Sequence, residues 1–370
     1  MLSFVFSSSI RLFLRTLGPV GRLGVRTMAS KVEISCLMQP DHANLGGNVH
    51  GGTILQMIEQ AGWISATRHC NSMRKDADAV GSDSAAVTAA LVRLEHIDFM
   101  KPMHIGNIAT LDAVVAYTSS RSLMVEVTVY AENVFETTKL VTNRATLWYV
   151  AVTVSGKESG ALKVMPVPEI PGQSDEEKGK GRRLYLAQRA DRAEHPEMEP
   201  QEVFCISEDV RKKAEPHTVS SSISTLSQVI GSSDCVQPNN TALGGVIMKL
   251  MDTVAGIVAY RHCHTNVVTA CIDAINFHRP VYRGDVVTVL GRLLFTSQRS
   301  MIIEVLVMRE NLRSGKKEHT TSAFFTFVSL DIISCRPLKV PPLIITNDEE
   351  KVNYERGRLR YEAAKLARKH

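Results

Sequence analysis

The 370-residue chain contains no Cys-x-x-Cys pair. Its seven cysteines, Cys36, Cys70, Cys205, Cys235, Cys263, Cys271 and Cys335, are scattered and odd in number. That pattern argues against a disulfide framework and fits packed thiols in a reducing compartment. No apolar run reaches the roughly 20 residues needed to span a membrane, so stable insertion is not expected. A Gly-x-Ser-x-Gly element is also missing. In GKESG, at 156–160, the serine is displaced by one place, which disfavours an α/β-hydrolase. A basic surplus is nearly absent too. Of the net charge of +5, Arg11, Arg15, Arg22 and Arg26 supply four within residues 1–27, leaving +1 for the rest. The remainder therefore has no electrostatic footprint for nucleic acid.

Residues 1–27 have no Asp or Glu and are rich in Arg and Ser. This composition is expected of a mitochondrial transit peptide, which would place the mature chain in the matrix. A secretory signal competes on the first six apolar residues, but arginines break the run and no small-x-small cleavage site follows. A plain disordered extension is the third reading. Met28-Ala-Ser offers an alternative start, which would give a cytoplasmic form. Elsewhere, 44% hydrophobic and 22% charged residues describe ordinary globular protein with room for two or three domains.

The chain repeats itself. Gly51-Gly52 matches Gly244-Gly245, and Arg68-His69-Cys70 matches Arg261-His262-Cys263, both at an offset of 193. Downstream, TSSRSLMVEVTVYAEN at 118–133 parallels TSQRSMIIEVLVMREN at 296–311 at an offset of 178. The 15 residues lost between them are expected in the polar loop around 71–86. The tails EEKGKGRRLYLAQRADR and EEKVNYERGRLRYEAAKLARK also resemble each other, and each is expected to form a short surface helix. The expected domains are 31–160 and 201–340, with a linker carrying a short charged helix at 161–200 and a charged helix at 346–370.

Within each copy, GGTILQMIEQAGWISATRHC and GGVIMKLMDTVAGIVAYRHC are too apolar for surface helices and are expected to be buried. Runs such as VTAALVRLEHIDF and SLMVEVTVYAE follow, then VVTACIDAINF and SMIIEVLVMRE in the second copy. They predict an antiparallel set of strands after each helix. Two such sheets can pair edge to edge about a pseudo-twofold axis, bringing the helix starts together.

Two carboxylates interrupt the apolar helices, Glu59 and Asp252. A lone carboxylate there is costly unless it is hydrogen-bonded, hydrated or used. Asp252 is thus either a structural cap on a backbone gap or a reacting group. Asn44 is either a turn residue or an amide donor. His50, Gly51 and Gly52 open the first helix, where unpaired N–H groups and the helix dipole favour negative charge. The adjacent His69-Cys70 and His262-Cys263 pairs lack further ligands at metal-site spacing and predict helix-end packing.

The duplicated unit, with NVHGGTILQMIEQAG, KLVTNRATLWYV, GGVIMKLMDTVAGIVA, VTACIDAINFH and TSAFFTFVSL, resembles the double hotdog-fold acyl-CoA thioesterases of the cytosolic long-chain type. The resemblance covers nearly all of residues 31–370. It implies an α+β fold of tandem hotdog domains, each a central helix wrapped by a curved antiparallel β-sheet. It implies hydrolysis of fatty acyl-CoA to fatty acid and CoA without metal or cofactor, in a homo-oligomer that is a trimer of double-domain chains. Asp252 then matches the family's catalytic base and Asn44 its catalytic amide, supported at the oxyanion by His50, Gly51 and Gly52. Gln237 and Glu59, at the repeat-related positions, match a degenerate second site, since Glu is one methylene longer than Asp. Leu243, standing where the first copy has His50, weakens that site further, though Asn239 and Asn240 could substitute in part. Arg121 and Arg299, in the repeated turns, are candidates for the CoA phosphates or simply solvated. A hotdog-fold dehydratase using His50 and a non-catalytic acyl-CoA-binding module are the alternatives.

Overall fold

The computed structural model describes residues 31–44, 46–72, 87–136, 138–155, 161–195, 208–237, 239–331, 334 and 336–367. The transit-peptide expectation for 1–27, the GKESG stretch and most of the 71–86 loop fall outside them. No helix among the described residues is long and apolar enough to cross a membrane.

The first half runs β1 (Val32–Leu37), α1 (Gly51–Asn71), β2 (Thr88–Leu94), β3 (Ile97–Asp98), β4 (Ile108–Thr118), β5 (Ser122–Asn133), β6 (Thr138–Ser155), β7 (Ala161–Val164) and α2 (Asp175–Glu194). After short helices α3 (Glu208–Lys213) and α4 (Val219–Ser222), the order repeats. It runs β8 (Ser224–Val229), a small hairpin of β9 (Cys235–Val236) and β10 (Thr241–Ala242), α5 (Gly244–Cys263), β11 (Asn266–Ile272), β12 (Ile275–Phe277), β13 (Asp285–Thr296), β14 (Ser300–Asn311), β15 (Lys316–Leu330) and α6 (Asp348–Ala367). Each half thus has a strand before its helix that the sequence reading did not anticipate. β1 and β8 pair with β4 and β13 at the outer edges, where mostly exposed or half-exposed residues leave no clear apolar alternation.

The strands form one 13-stranded antiparallel sheet, because the two halves join edge to edge. Leu94 faces Ile275 across β2 and β12, and Ile97 faces Ile272 across β3 and β11. The 178-residue offset exchanges these two pairings, as a pseudo-twofold axis requires. On the inner face of the first half, Leu111, Ala113, Val125, Val127 and Val129 are buried around α1; Val289, Leu293, Ile303 and Val305 do the same around α5. Period-two alternation supplies this one-sided burial.

The helices cross close to their N-termini. A Cβ on Gly52 would stand 2.8 Å from the Lys249 Cα, and one on Gly245 would stand 2.8 Å from the Gln56 Cα. Only glycine allows the two backbones to approach so closely. At the far helix ends, His69 and His262 each bond a proline carbonyl through Nε2, Pro168 and Pro341 respectively, at 2.9 Å. Burial lowers both imidazole pKa values, so the rings donate as neutral groups. Burial also pushes the neighbouring Cys70 and Cys263 thiols up, to about 12 and about 11. These helix-end pairs tie down the segments leaving each sheet. The tail helices α2 and α6 are 20 residues each and lie on the outer sheet face. Equivalent rings dock them: Tyr185 lies 6.1 Å from Tyr117, and Tyr361 lies 5.4 Å from Phe295.

Candidate active site

The helix crossing explains why each apolar helix tolerates a carboxylate. The N–H of Gly52, at the start of α1, donates to Asp252 Oδ2 of α5 at 2.6 Å. In return, Glu59 of α1 lies against the start of α5, where a Cβ on Gly245 would stand 3.2 Å from the Glu59 Cβ and the N–H groups of Gly245 and Gly244 favour its charged form. Each carboxylate caps the partner helix, where unpaired donors and the positive end of the dipole favour an anion. Capping and reactivity are therefore compatible roles for Asp252.

The two halves then diverge. Asp252 is 2% exposed, and its Oδ1 accepts a second hydrogen bond of 2.6 Å from the Thr269 hydroxyl on β11. His50, the N-cap of α1, places Nδ1 3.2 Å from Asp252 Oδ2. That nitrogen also accepts from Gly52 N–H at 3.0 Å, which puts the ring proton on Nε2. A carboxylate has about four lone-pair sites, so room remains for a water. At the repeat-related position, Leu243 replaces His50 and Leu91 replaces Thr269. Leu91 Cδ2 would stand 2.6 Å from a Cβ on Gly244, whereas Asp252 Oδ2 and Thr269 Oγ1 flank Gly51 at 3.0 Å. Glu59 Oε2 is buried without a partner among the described residues. Burial raises the Glu59 pKa to about 8 against the bonds from Gly245 and Gly244. The Asp252 side thus adds a hydroxyl donor to the backbone N–H, while the Glu59 side has leucines at the positions of His50 and Thr269.

Asp252 opens into a cavity of about 870 Å³, and Asn44, His50, Gly51 and Thr269 line the same space. Asn44 Oδ1 is committed to the turn, accepting from Gly46 N–H at 2.9 Å and Asn48 N–H at 3.2 Å. Its Nδ2 is the end left for a ligand. The Gly52 N–H is engaged by Asp252, whereas Gly51 lines the cavity and its N–H has no partner among the described residues. Gln237 does not join Glu59. It is exposed and donates to Asn240 Oδ1 at 3.0 Å, while Asn239 is buried with both amide atoms unpaired among the described residues. Arg121 and Arg299 sit in exposed turns before β5 and β14 and do not line the cavity. Its rim instead carries Lys101 and His104, both exposed, from the loop after β3. Sequence reasoning missed Thr269, although aligning VVTACI with AALVRL at the 178 offset exposes the Thr269/Leu91 difference.

Two antiparallel sheets, each curled round a buried helix and joined about a pseudo-twofold, define a double hotdog protein. A model of the thioesterase superfamily matches residues 46–135 and 239–316. The chain is 45% identical over 334 residues to the cytosolic acyl coenzyme A thioester hydrolase of Rattus norvegicus, spanning 90% of this chain and 82% of that protein. It is 44% identical over 343 residues to the protein of the same name from Homo sapiens, spanning 90% and 83%. Among solved structures, acyl-CoA hydrolase from Bacillus cereus is similar at 32% identity with a TM-score of 0.39, over 42% of this chain and 93% of that one. The chain belongs to the tandem hotdog-fold acyl-CoA thioesterases.

Proposed function

We propose that this chain hydrolyses fatty acyl-CoA, including long-chain acyl-CoA, to free fatty acid and CoA at one productive site per chain. The observation that carries the reading is Asp252, held by Gly52 N–H and Thr269 Oγ1 in the cavity wall beside Asn44. In this reaction Asp252 takes a proton from a water as its oxygen attacks the thioester carbonyl carbon. The carbonyl oxygen becomes an oxyanion, received by Asn44 Nδ2 and the Gly51 N–H. Collapse of the intermediate breaks the C–S bond, and the proton leaves with the CoA sulfur. The Gly52 N–H and the Thr269 hydroxyl fix the carboxylate, and His50 caps the helix start beside it. Lys101 and His104 at the rim suit the CoA phosphates, and the apolar residues Ile54, Ile257, Val267, Phe327 and Leu330 suit the acyl chain. The Gln237/Glu59 half is the degenerate counterpart.

The test is steady-state turnover of palmitoyl-CoA by the chain from Met28, read as free CoA thiol and fatty acid in equal amounts. Conversion of enoyl or hydroxyacyl thioesters with the thioester intact would favour a dehydratase centred on His50. Binding without turnover would favour a carrier module. We further propose a cytoplasmic Met28 form, in line with the names of the mammalian relatives, and a matrix form from the full chain. Import of the full chain alone into isolated mitochondria would support this division. Assembly as a trimer predicts a solution mass about three times 40.8 kDa, and a monomeric mass would reject it.

A further inference from the structure

Positions 63 and 256 are equivalent in the repeat, yet they carry a very large and a very small residue, Trp63 and Gly256. Gly256 lies one helical turn beyond Asp252, and Tyr260 one turn beyond that. All three line the cavity, so this face of α5 extends about 12 Å from the carboxylate. A Cβ on Gly256 would meet only the Phe327 ring, at 3.7 and 3.9 Å, which is ordinary contact. The missing side chain is therefore not demanded by packing. It leaves open space beside Phe327 and Ile257.

In the other half the corresponding space is occupied. Trp63 packs against the core, and its Nε1 donates to Thr88 Oγ1 at 3.1 Å. Tyr149, the counterpart of Phe327, is fully buried there and donates to the Glu59 carbonyl at 3.2 Å. The counterpart of Thr88 is Asn266. It lines the open cavity, and its buried Oδ1 has no partner among the described residues. Where the indole satisfies the strand residue on one side, on the other Asn266 Oδ1 is buried against Gly46 and no indole reaches it.

We infer that the acyl chain of the substrate lies along the Gly256 face of α5, that the absence of a side chain at 256 sets the chain length admitted, and that Trp63 closes the pseudo-symmetric channel. This rests on the acyl-CoA reading of the Asp252 site and adds the residue that measures the acyl group. A side chain at 256 meets the tail about 6 Å from the carboxylate, beyond the reacting carbon. It therefore discriminates between long and short acyl groups. An apolar pocket distinguishes ligands by fit in this way, one methylene being worth about 10- to 200-fold.

The experiment measures kcat/KM for butyryl-CoA and palmitoyl-CoA with the parent, Gly256→Ala and Gly256→Leu. Each variant is checked for the parent's circular dichroism and solution mass. The palmitoyl-to-butyryl ratio is expected to fall about 10²-fold in Gly256→Leu and less, in the same direction, in Gly256→Ala. The alanine variant, which the spacing accepts without strain, carries the test if the leucine variant does not fold. An unchanged ratio in a folded variant, whether or not overall activity drops, would overturn the inference while leaving the hydrolase reading in place. No turnover of any acyl-CoA by the parent would remove that reading, and the inference with it.

Discussion

Asp252→Asn should lower palmitoyl-CoA turnover by about 10²-fold or more, with kcat and kcat/KM falling together. The substitution preserves shape but removes the acceptor of the water's proton. It also changes the hydrogen bonding, because Asp252 accepts from Gly52 N–H through Oδ2 and from Thr269 Oγ1 through Oδ1. An asparagine has one acceptor oxygen, so its amide nitrogen must face one of these donors. The Thr269 hydroxyl can rotate to accept, whereas the Gly52 N–H cannot. The side chain should therefore orient its oxygen toward Gly52, and the fold should survive. Equal circular dichroism and solution mass for parent and variant would show that the loss is chemical. Unchanged turnover in a folded variant would remove Asp252 from the mechanism and turn attention to Glu59.

Glu59→Gln should do the opposite, leaving turnover in place and altering stability in a pH-dependent way. The folded pKa of Glu59 is raised to about 8 from 4.5 because burial outweighs the bonds from Gly245 and Gly244. The native chain therefore holds this proton to higher pH than the unfolded chain does. Between about pH 4.5 and pH 8 the unfolded state binds fewer protons, so native stability falls as pH rises through that window and then levels off. The penalty removed by glutamine amounts to a few kcal/mol at its fullest. Urea midpoints of parent and variant should lie close together near pH 5, and the variant should gain on the parent toward pH 8. A constant difference across that range would mean that Glu59 is not buried as described.

Much of this architecture could be read from the chain because it is written twice. Two apolar segments opening on Gly-Gly, each with one carboxylate, are hard to reconcile with anything but paired central helices. The strand runs after them alternate because one sheet face is buried. β1 and β8 escaped because edge strands with half-exposed faces have little apolar pattern to find. The Asn44 and Asp252 pairing followed from the resemblance, and its geometry had to come from the fold. The reciprocal capping by Gly52 and Gly245 joins residues 200 and 186 positions away. No local signal reports such a contact. The pairing of Gln237 with Glu59 rests on the repeat offset and the resemblance. In the fold the Gln237 side chain turns outward to Asn240, because a turn can place equal sequence positions on different sides. Leu91 opposite Thr269 shows a complementary lesson. Differences between the copies at matched positions mark the chemistry more sharply than the residues they share.

The central claim is that two similar halves make one working site. Titration calorimetry of the chain from Met28 with a non-hydrolysable palmitoyl-CoA thioether tests it directly. One equivalent bound per chain, reduced in affinity by Gly256→Leu and unaffected by Glu59→Gln, is the predicted result. Two equivalents of equal affinity would contradict it, because the Glu59 half would then admit an acyl chain past Trp63 as readily as the Asp252 half does past Gly256.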